Sequence, residues 1–286
     1  MQILLTHDVA EFSSRAEAFL AQRLERNVIA TVSELMLSVG PGPGAVQPIY
    51  ALGVDQNTGA TVAAALRTPP RHLIANGFVE PEHARQLMAD WLEVDPAITG
   101  VSAAPTEAAV LMRAWRELTG GETALDFSEA IHELEAVIPP TRMPRGSLRE
   151  ASLAEHDLLV QWSIDFTTET GFGDLVSAEL SAKRTLAAGR SYVWDDNGPV
   201  TMAGHASAVA GVNRVGPVYT PPQHRGHGYA SAAVAALSQK LLGEGARRCM
   251  LFTDLANPTS NKIYEAVGYR RFADWEEHSF LPHSAA

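Results

Sequence analysis

The sequence predicts a mixed α/β protein built from two similar halves, and three observations carry that expectation. A proline-rich break divides the chain near its middle. The halves repeat one order of elements, and the second joins a strand to a helix through a basic, glycine-spaced loop. At 286 residues there is enough chain for two domains of ordinary size.

The break is AVIPPTRMPRGSLREA, residues 136–151, where prolines and a glycine interrupt regular structure. A new strand is expected from Ser147, so the predicted domains are residues 1–140 and 146–286. In the first half, PIYALGVD and TVAAALRT flank QNTG; in the second, RSYVWDD and PVTMAGHASAV flank Asn197-Gly198. Both are hairpin signals. A helix follows in each half, with Ala84, Leu87, Met88, Trp91 and Leu92 at helical spacing in the first and Ala230, Val234, Leu237 and Leu241 in the second. Each half then offers a short strand and a proline-led helix, APTEAAVLMRAW from Ala104 and NPTSNKIYEAVG from Asn257. Pro105 and Pro258 lie 258 − 105 = 153 positions apart, and the shared order reads as an internal duplication.

Composition narrows the function. Hydrophobic content of 46% and charged content of 19% suit a globular protein. A formal net charge of -11 argues against general nucleic-acid binding, which needs a basic face. The single cysteine, Cys249, excludes an internal disulfide framework and any multi-cysteine zinc site, and no metal is expected. Its place in CMLFTDL fits a packed thiol. MQILLTHDVAEF has no basic n-region, and no stretch is long and apolar enough for a membrane span, so a cytoplasmic location is expected.

The most informative stretch is RVGPVYTPPQHRGHGYASAAVAAL, residues 214–237. No acid occurs between Pro221 and Glu244. A helix start exposes unpaired N–H groups that favour a phosphate. Gly226 and Gly228 allow close backbone approach, and Arg225, His224 and His227 add positive character. A carboxylate within reach would compete for the same N–H groups. The first half has ANGFVEPEHA in that place, with Glu80 and Glu82 at the helix start. A plain glycine-rich turn fits the loop alone equally well. There is no Walker pattern, and GHGYAS lacks the third glycine or alanine of the dinucleotide fingerprint, which disfavours a nucleotide-dependent oxidoreductase.

VYTPPQHRGHGYA, residues 218–230, resembles the acetyl-CoA motif of the GNAT superfamily of N-acetyltransferases, Q/R-x-x-G-x-G/A, filled here by Gln223, Gly226 and Gly228. LFTDLANPTSNKIYEAVGY, residues 251–269, resembles that family's strand, Asn-bearing loop and last helix. The resemblance covers about residues 146–280. It implies two GNAT-like domains, each a twisted mixed sheet flanked by helices, the first a degenerate copy without the pyrophosphate loop.

The resemblance further implies acetyl-CoA as acyl donor. Val218, Tyr219 and Thr220 would lie along its pantetheine arm, with the Val218 N–H on the thioester carbonyl. Gln223, His224 and Arg225 through Gly226, His227, Gly228, Tyr229, Ala230 and Ser231 would hold the pyrophosphate. Asn257 and Asn261 would bond the arm near sulfur, although a helix-cap role fits them nearly as well. Tyr264 would protonate the leaving thiolate, and Leu111 holds its place in the first half. His205 and Asp254 are candidate bases, with none assigned. Trp162, Phe166, Glu169 and Phe172 form either an acceptor wall or core. The implied reaction moves acetyl to a primary amine of a small molecule or peptide, without a covalent enzyme intermediate, in a monomer or homodimer. The alternative is a non-catalytic acyl-CoA-binding or regulatory protein of the same fold.

Overall fold

The computed structural model describes residues 1–41, 44–171, 173 and 175–281, so Phe172 lies outside the described residues. The elements are β1 (Gln2–Thr6), α1 (Val9–Leu20), α2 (Asn27–Val39), β2 (Ile49–Val54), β3 (Thr61–Arg67), β4 (Leu73–Asn76), α3 (Pro81–Val94), β5 (Gly100–Ala103), α4 (Pro105–Thr119) and β6 (Glu122–Leu134). The second half adds β7 (Ser147–Glu150), α5 (His156–Thr170), α6 (Leu175–Ala187), β8 (Ser191–Asp195), β9 (Pro199–His205), β10 (Val212–Tyr219), α7 (Tyr229–Gly243), β11 (Arg248–Asp254), α8 (Pro258–Val267) and β12 (Arg270–Leu281).

Local chemistry sets the ends of these elements. Asp8 caps α1 by accepting the Ala10 and Glu11 N–H groups. Helices α3, α4 and α8 begin on prolines, which have no N–H to leave unpaired. Gly120, Gly171 and Gly268 end α4, α5 and α8 in the left-handed region.

Two compact units result, one of Met1–Ala130 with Ala273–Ala286, the other of Ile131–Phe272. Both follow one plan, a mixed sheet. In the first, β1, β2, β3 and β4 pair antiparallel in sequence order and β4 pairs β5 in parallel. In the second, β7, β8, β9 and β10 do the same, and β10 pairs β11 in parallel. The duplication read from proline spacing is therefore a repeat of topology. The halves also trade their last strands. Residues 276–279 of β12 pair with β5 in the first unit, whereas the end of β6, from Ile131, belongs to the second and neighbours β11.

Helices cover both faces of the second unit's sheet. Trp162 and Leu159 of α5 pack with Val193, Met202 and Tyr219 on one face. Val234, Leu237 and Leu241 of α7 pack with Leu251, Val267 and Cys249 on the other. Cys249 is a buried core thiol, pushed up to about 11 by burial.

In the first unit the turn after β4 is closed. Phe78 is fully buried, and a Cβ on Gly77 would collide with the Val62 carbonyl and Ala63. The carboxylate of Glu107, from α4, accepts the N–H groups of Gly77 and Phe78, the latter at 2.6 Å. The protein's own carboxyl group thus occupies these N–H groups, while Glu80 only flanks the start of α3. Leu111 is fully buried core.

Glu107 is 2% exposed, and burial raises its carboxyl to about 7 from an ordinary 4.5. A raised acid pKa means that the folded chain holds its proton longer than the unfolded chain. Stability is therefore lost as pH rises from about 4.5 to about 7, by up to roughly 3 kcal/mol. Glu107→Gln should raise the unfolding free energy at pH 8 and leave it nearly unchanged near pH 4.5. Urea titrations of both proteins at the two pH values check this; an equal gain at both would contradict it.

Candidate active site

A fork in the second unit's sheet positions the site. Strands β10 and β11 pair only through Val212, Asn213 and Arg214 against Arg248, Cys249 and Met250. Beyond that, β10 runs on to Tyr219 and β11 to Asp254 without mutual pairing. The cause is local. Between Val215 and Val218, β10 bulges against β9, at Gly216 and Pro217. Pro217 has no N–H to give to a ladder, and a bulge bends the strand that carries it.

At the far end of β10 the chain makes a tight turn. The Arg225 N–H donates to the Pro222 carbonyl and the His224 N–H to that of Pro221. Arg225 Nε donates to the Thr220 carbonyl at 2.8 Å. Gly226 and Gly228 then take φ of +79° and +82°, where other L-residues are strained. A Cβ at either would meet no protein atom within 4 Å. These glycines border open space, the opposite of the packed Gly77.

The first intrahelical bond of α7 is Ala232 N–H to the Gly228 carbonyl, and no side chain caps the helix. Among the described residues nothing accepts the N–H groups of Gly226, His227, Gly228, Tyr229, Ala230 or Ser231. Gln223 is exposed and also lacks a side-chain partner among them. His227 Nδ1 lies 3.2 Å from the His224 carbonyl, and its ring stacks on Tyr229.

Acids do lie near this turn, contrary to the impression from the local sequence. Glu169, from α5, accepts from Arg225 Nη2 at 2.6 Å and from the Tyr219 hydroxyl at 2.8 Å. Burial and Glu169 together push the Tyr219 phenol up to about 12. Asp196 accepts from the Tyr229 hydroxyl at 2.6 Å. Both acids hold side chains, and neither takes a backbone N–H of the turn.

Across the fork, β11 leads into α8. Asn257 caps α8, its Oδ1 accepting the Ser260 N–H, so the helix-cap role expected of it is filled. Asn261 donates to the Asp254 carbonyl at 3.3 Å, yet its Oδ1 is buried without a partner. The hydroxyl of Thr253, on the same strand face as Cys249 and Leu251, is likewise buried and unpaired. Thr253 escapes sequence reasoning because a threonine in an apolar strand carries no signal. Tyr264 is half-buried, and burial lifts its phenol to about 12. Its ring meets Tyr269 edge-on at 6.1 Å, and its hydroxyl has no partner among the described residues.

The two candidate bases are engaged. His205 Nδ1 lies 2.9 Å from the Ala206 carbonyl, and burial lowers its pKa. Asp254 accepts the Ala256 N–H at 2.7 Å. Trp162 is buried core and Phe166 packs against it, whereas Glu169 turns to the loop.

Comparison with known proteins identifies the segment that carries these residues. Residues 156–269 match the sequence model of the acetyltransferase (GNAT) family. This segment is a GNAT domain. No curated protein sequence matches the chain significantly. Among solved structures, a tandem GNAT protein from the clavulanic acid biosynthesis pathway aligns over 100% of both chains, at 14% identity and TM-score 0.62. A GNAT-family acetyltransferase from Colwellia psychrerythraea aligns over 99% of this chain and 100% of its own, at 11% identity and TM-score 0.58. A Drosophila protein covers 99% of each chain at 12% identity and TM-score 0.66. At these identities the likeness is one of fold, and it extends over both units. The GNAT family and fold support acyl transfer from acyl-CoA. Among the described residues, no helix is long and apolar enough to cross a membrane.

Proposed function

We propose that the second unit transfers an acetyl group from acetyl-CoA directly to a primary amine. The observation that carries this reading is the fork between β10 and β11, which ends at unpartnered N–H groups beside glycines that face open space. A diphosphate fits the start of α7, where partial positive charge and free donors coincide. Arg225 offers Nη1, which has no partner among the described residues, and Gln223, His224 and His227 border the turn. Val218, Tyr219 and Thr220 line one arm of the fork. The Val218 N–H is assigned to the thioester carbonyl, where a donor counters the charge that develops during attack. Asn261 Oδ1, buried and lacking a donor, suits an amide N–H of the pantetheine arm.

Bound acetyl-CoA supplies a thioester carbonyl carbon open to an amine. As the N–C bond forms and the C–S bond breaks, the Tyr264 hydroxyl gives its proton to sulfur, the surplus amine proton leaves to solvent, and solvent reprotonates the phenolate. Burial makes this transfer feasible. Burial lifts the Tyr264 phenol to about 12, and desolvation disfavours a thiolate in the same place in the same direction, so burial raises both the proton donor and its acceptor.

A thiol assay for CoA release across a panel of primary amines tests the proposal. Acyl transfer to at least one amine is expected. Tight acetyl-CoA binding by calorimetry, with no turnover on any amine, would favour a non-catalytic binding module. The engagement of His205 and Asp254 is the observation on that side.

A further inference from the structure

Glu169 lies 56 positions before Arg225, one residue from the end of α5, and makes two contacts at the turn. Its Oε2 accepts from Arg225 Nη2 at 2.6 Å and its Oε1 from the Tyr219 hydroxyl at 2.8 Å. Arg225 Nε reaches back to the Thr220 carbonyl at 2.8 Å, and the guanidinium carbon lies 5.7 Å from the centroid of the Tyr219 ring. The arginine side chain therefore straddles its own turn, from residue 225 to residue 220, and Glu169 anchors the free end. Only Nη1 of the guanidinium has no partner among the described residues.

We propose that Glu169 is a positioning residue, which through Arg225 fixes the turn from Thr220 to Gly226 before the acyl donor arrives. The inference rests on reading this turn as the donor site. A long arginine side chain is costly to order, and one exposed ion pair seldom holds it. Here three contacts converge on one guanidinium, and the carboxylate is itself fixed by a buried tyrosine that is 6% exposed. Holding Arg225 in advance removes an ordering cost from donor binding. Screened repulsion between Glu169 and an incoming diphosphate works the other way. Arg225 carries the opposite charge on that same carboxylate, so ordering is the larger effect.

The test uses the full chain, with Glu169→Ala, Glu169→Gln, Arg225→Ala and the Glu169→Ala/Arg225→Ala double variant. Glutamine keeps one oxygen to accept from Arg225 Nη2, while its amide NH2 can donate to the Tyr219 oxygen in a reversed bond, so it serves as the uncharged rescue. In the ligand-free protein, amide hydrogen exchange is read at His224, Arg225 and Ala232, whose N–H groups are bonded within the turn and helix start. Exchange there should be roughly fivefold faster in Glu169→Ala and return toward wild type in Glu169→Gln. With acetyl-CoA, KM should rise by about fivefold with kcat within about twofold. Glu169→Ala should add little once Arg225 is alanine, because the pair acts as one device. Unchanged exchange in Glu169→Ala overturns the inference whatever acetyl-CoA does, and so does a KM that falls. Faster exchange in Glu169→Ala, beside a wild type that does not bind acetyl-CoA, overturns the donor reading instead, since the clamp then holds a turn that receives no donor.

Discussion

Gly228→Val is expected to remove measurable saturation by acetyl-CoA while leaving the protein folded. Gly228 sits at φ +82°, where an L-residue costs roughly 1–2 kcal/mol and a β-branched one more. A domain with about 5–15 kcal/mol of stability tolerates that loss. Among the described residues, no atom beyond the chain neighbours lies within 4 Å of the added Cβ, so the new side chain points into open space rather than into core. The new side chain instead fills the space through which a phosphate oxygen would approach the backbone. Hydrogen bonds to a charged group are worth about 1.5–3 kcal/mol each, so losing two weakens binding by on the order of 100-fold or more. Calorimetry with acetyl-CoA and a thermal melt separate the two effects. Near-wild-type affinity in a folded variant would show that the diphosphate lies elsewhere.

Tyr264→Phe should lower kcat by about 100-fold and leave the KM for acetyl-CoA within about twofold, since proton transfer by a placed acid contributes roughly that much or more. The variant is clean because the hydroxyl has no protein partner to lose among the described residues. Its stability should equal or slightly exceed that of the wild type. The pH dependence is a second check. With its phenol raised to about 12, Tyr264 stays protonated at lower pH, so it should contribute no falling limb to the rate between pH 6 and 10. A kcat unchanged in Tyr264→Phe would take the phenol out of the reaction.

The repeat and the glycine turn before α7 were legible in the sequence for physical reasons. Proline and glycine punctuate the backbone regardless of context, so Pro105, Pro258, Gly226 and Gly228 announce helix starts and left-handed turns from sequence alone. Apolar spacing likewise exposed α3 and α7. Features made by distant residues were not legible. An absence of acids between Pro221 and Glu244 says nothing of Glu169, which α5 carries to Arg225 from outside that stretch. Glu107 was equally hidden, because it reads as a surface acid of α4 until the fold buries it against the Gly77 and Phe78 N–H groups. Glu80 and Glu82 are the acids visible at that helix start, but the acid that meets the Gly77 and Phe78 N–H groups is Glu107, from α4.

The borrowed final strand constrains how the chain can be made. On the ribosome, β5 emerges in the first half, but its partner in β12 is translated only after the second unit. The nascent first unit must therefore wait, with an edge of β5 uncovered, while the second unit is synthesised. An uncovered edge invites pairing with strangers, so chaperone supply and elongation rate should govern the yield of native protein more than they would for two self-contained domains in tandem.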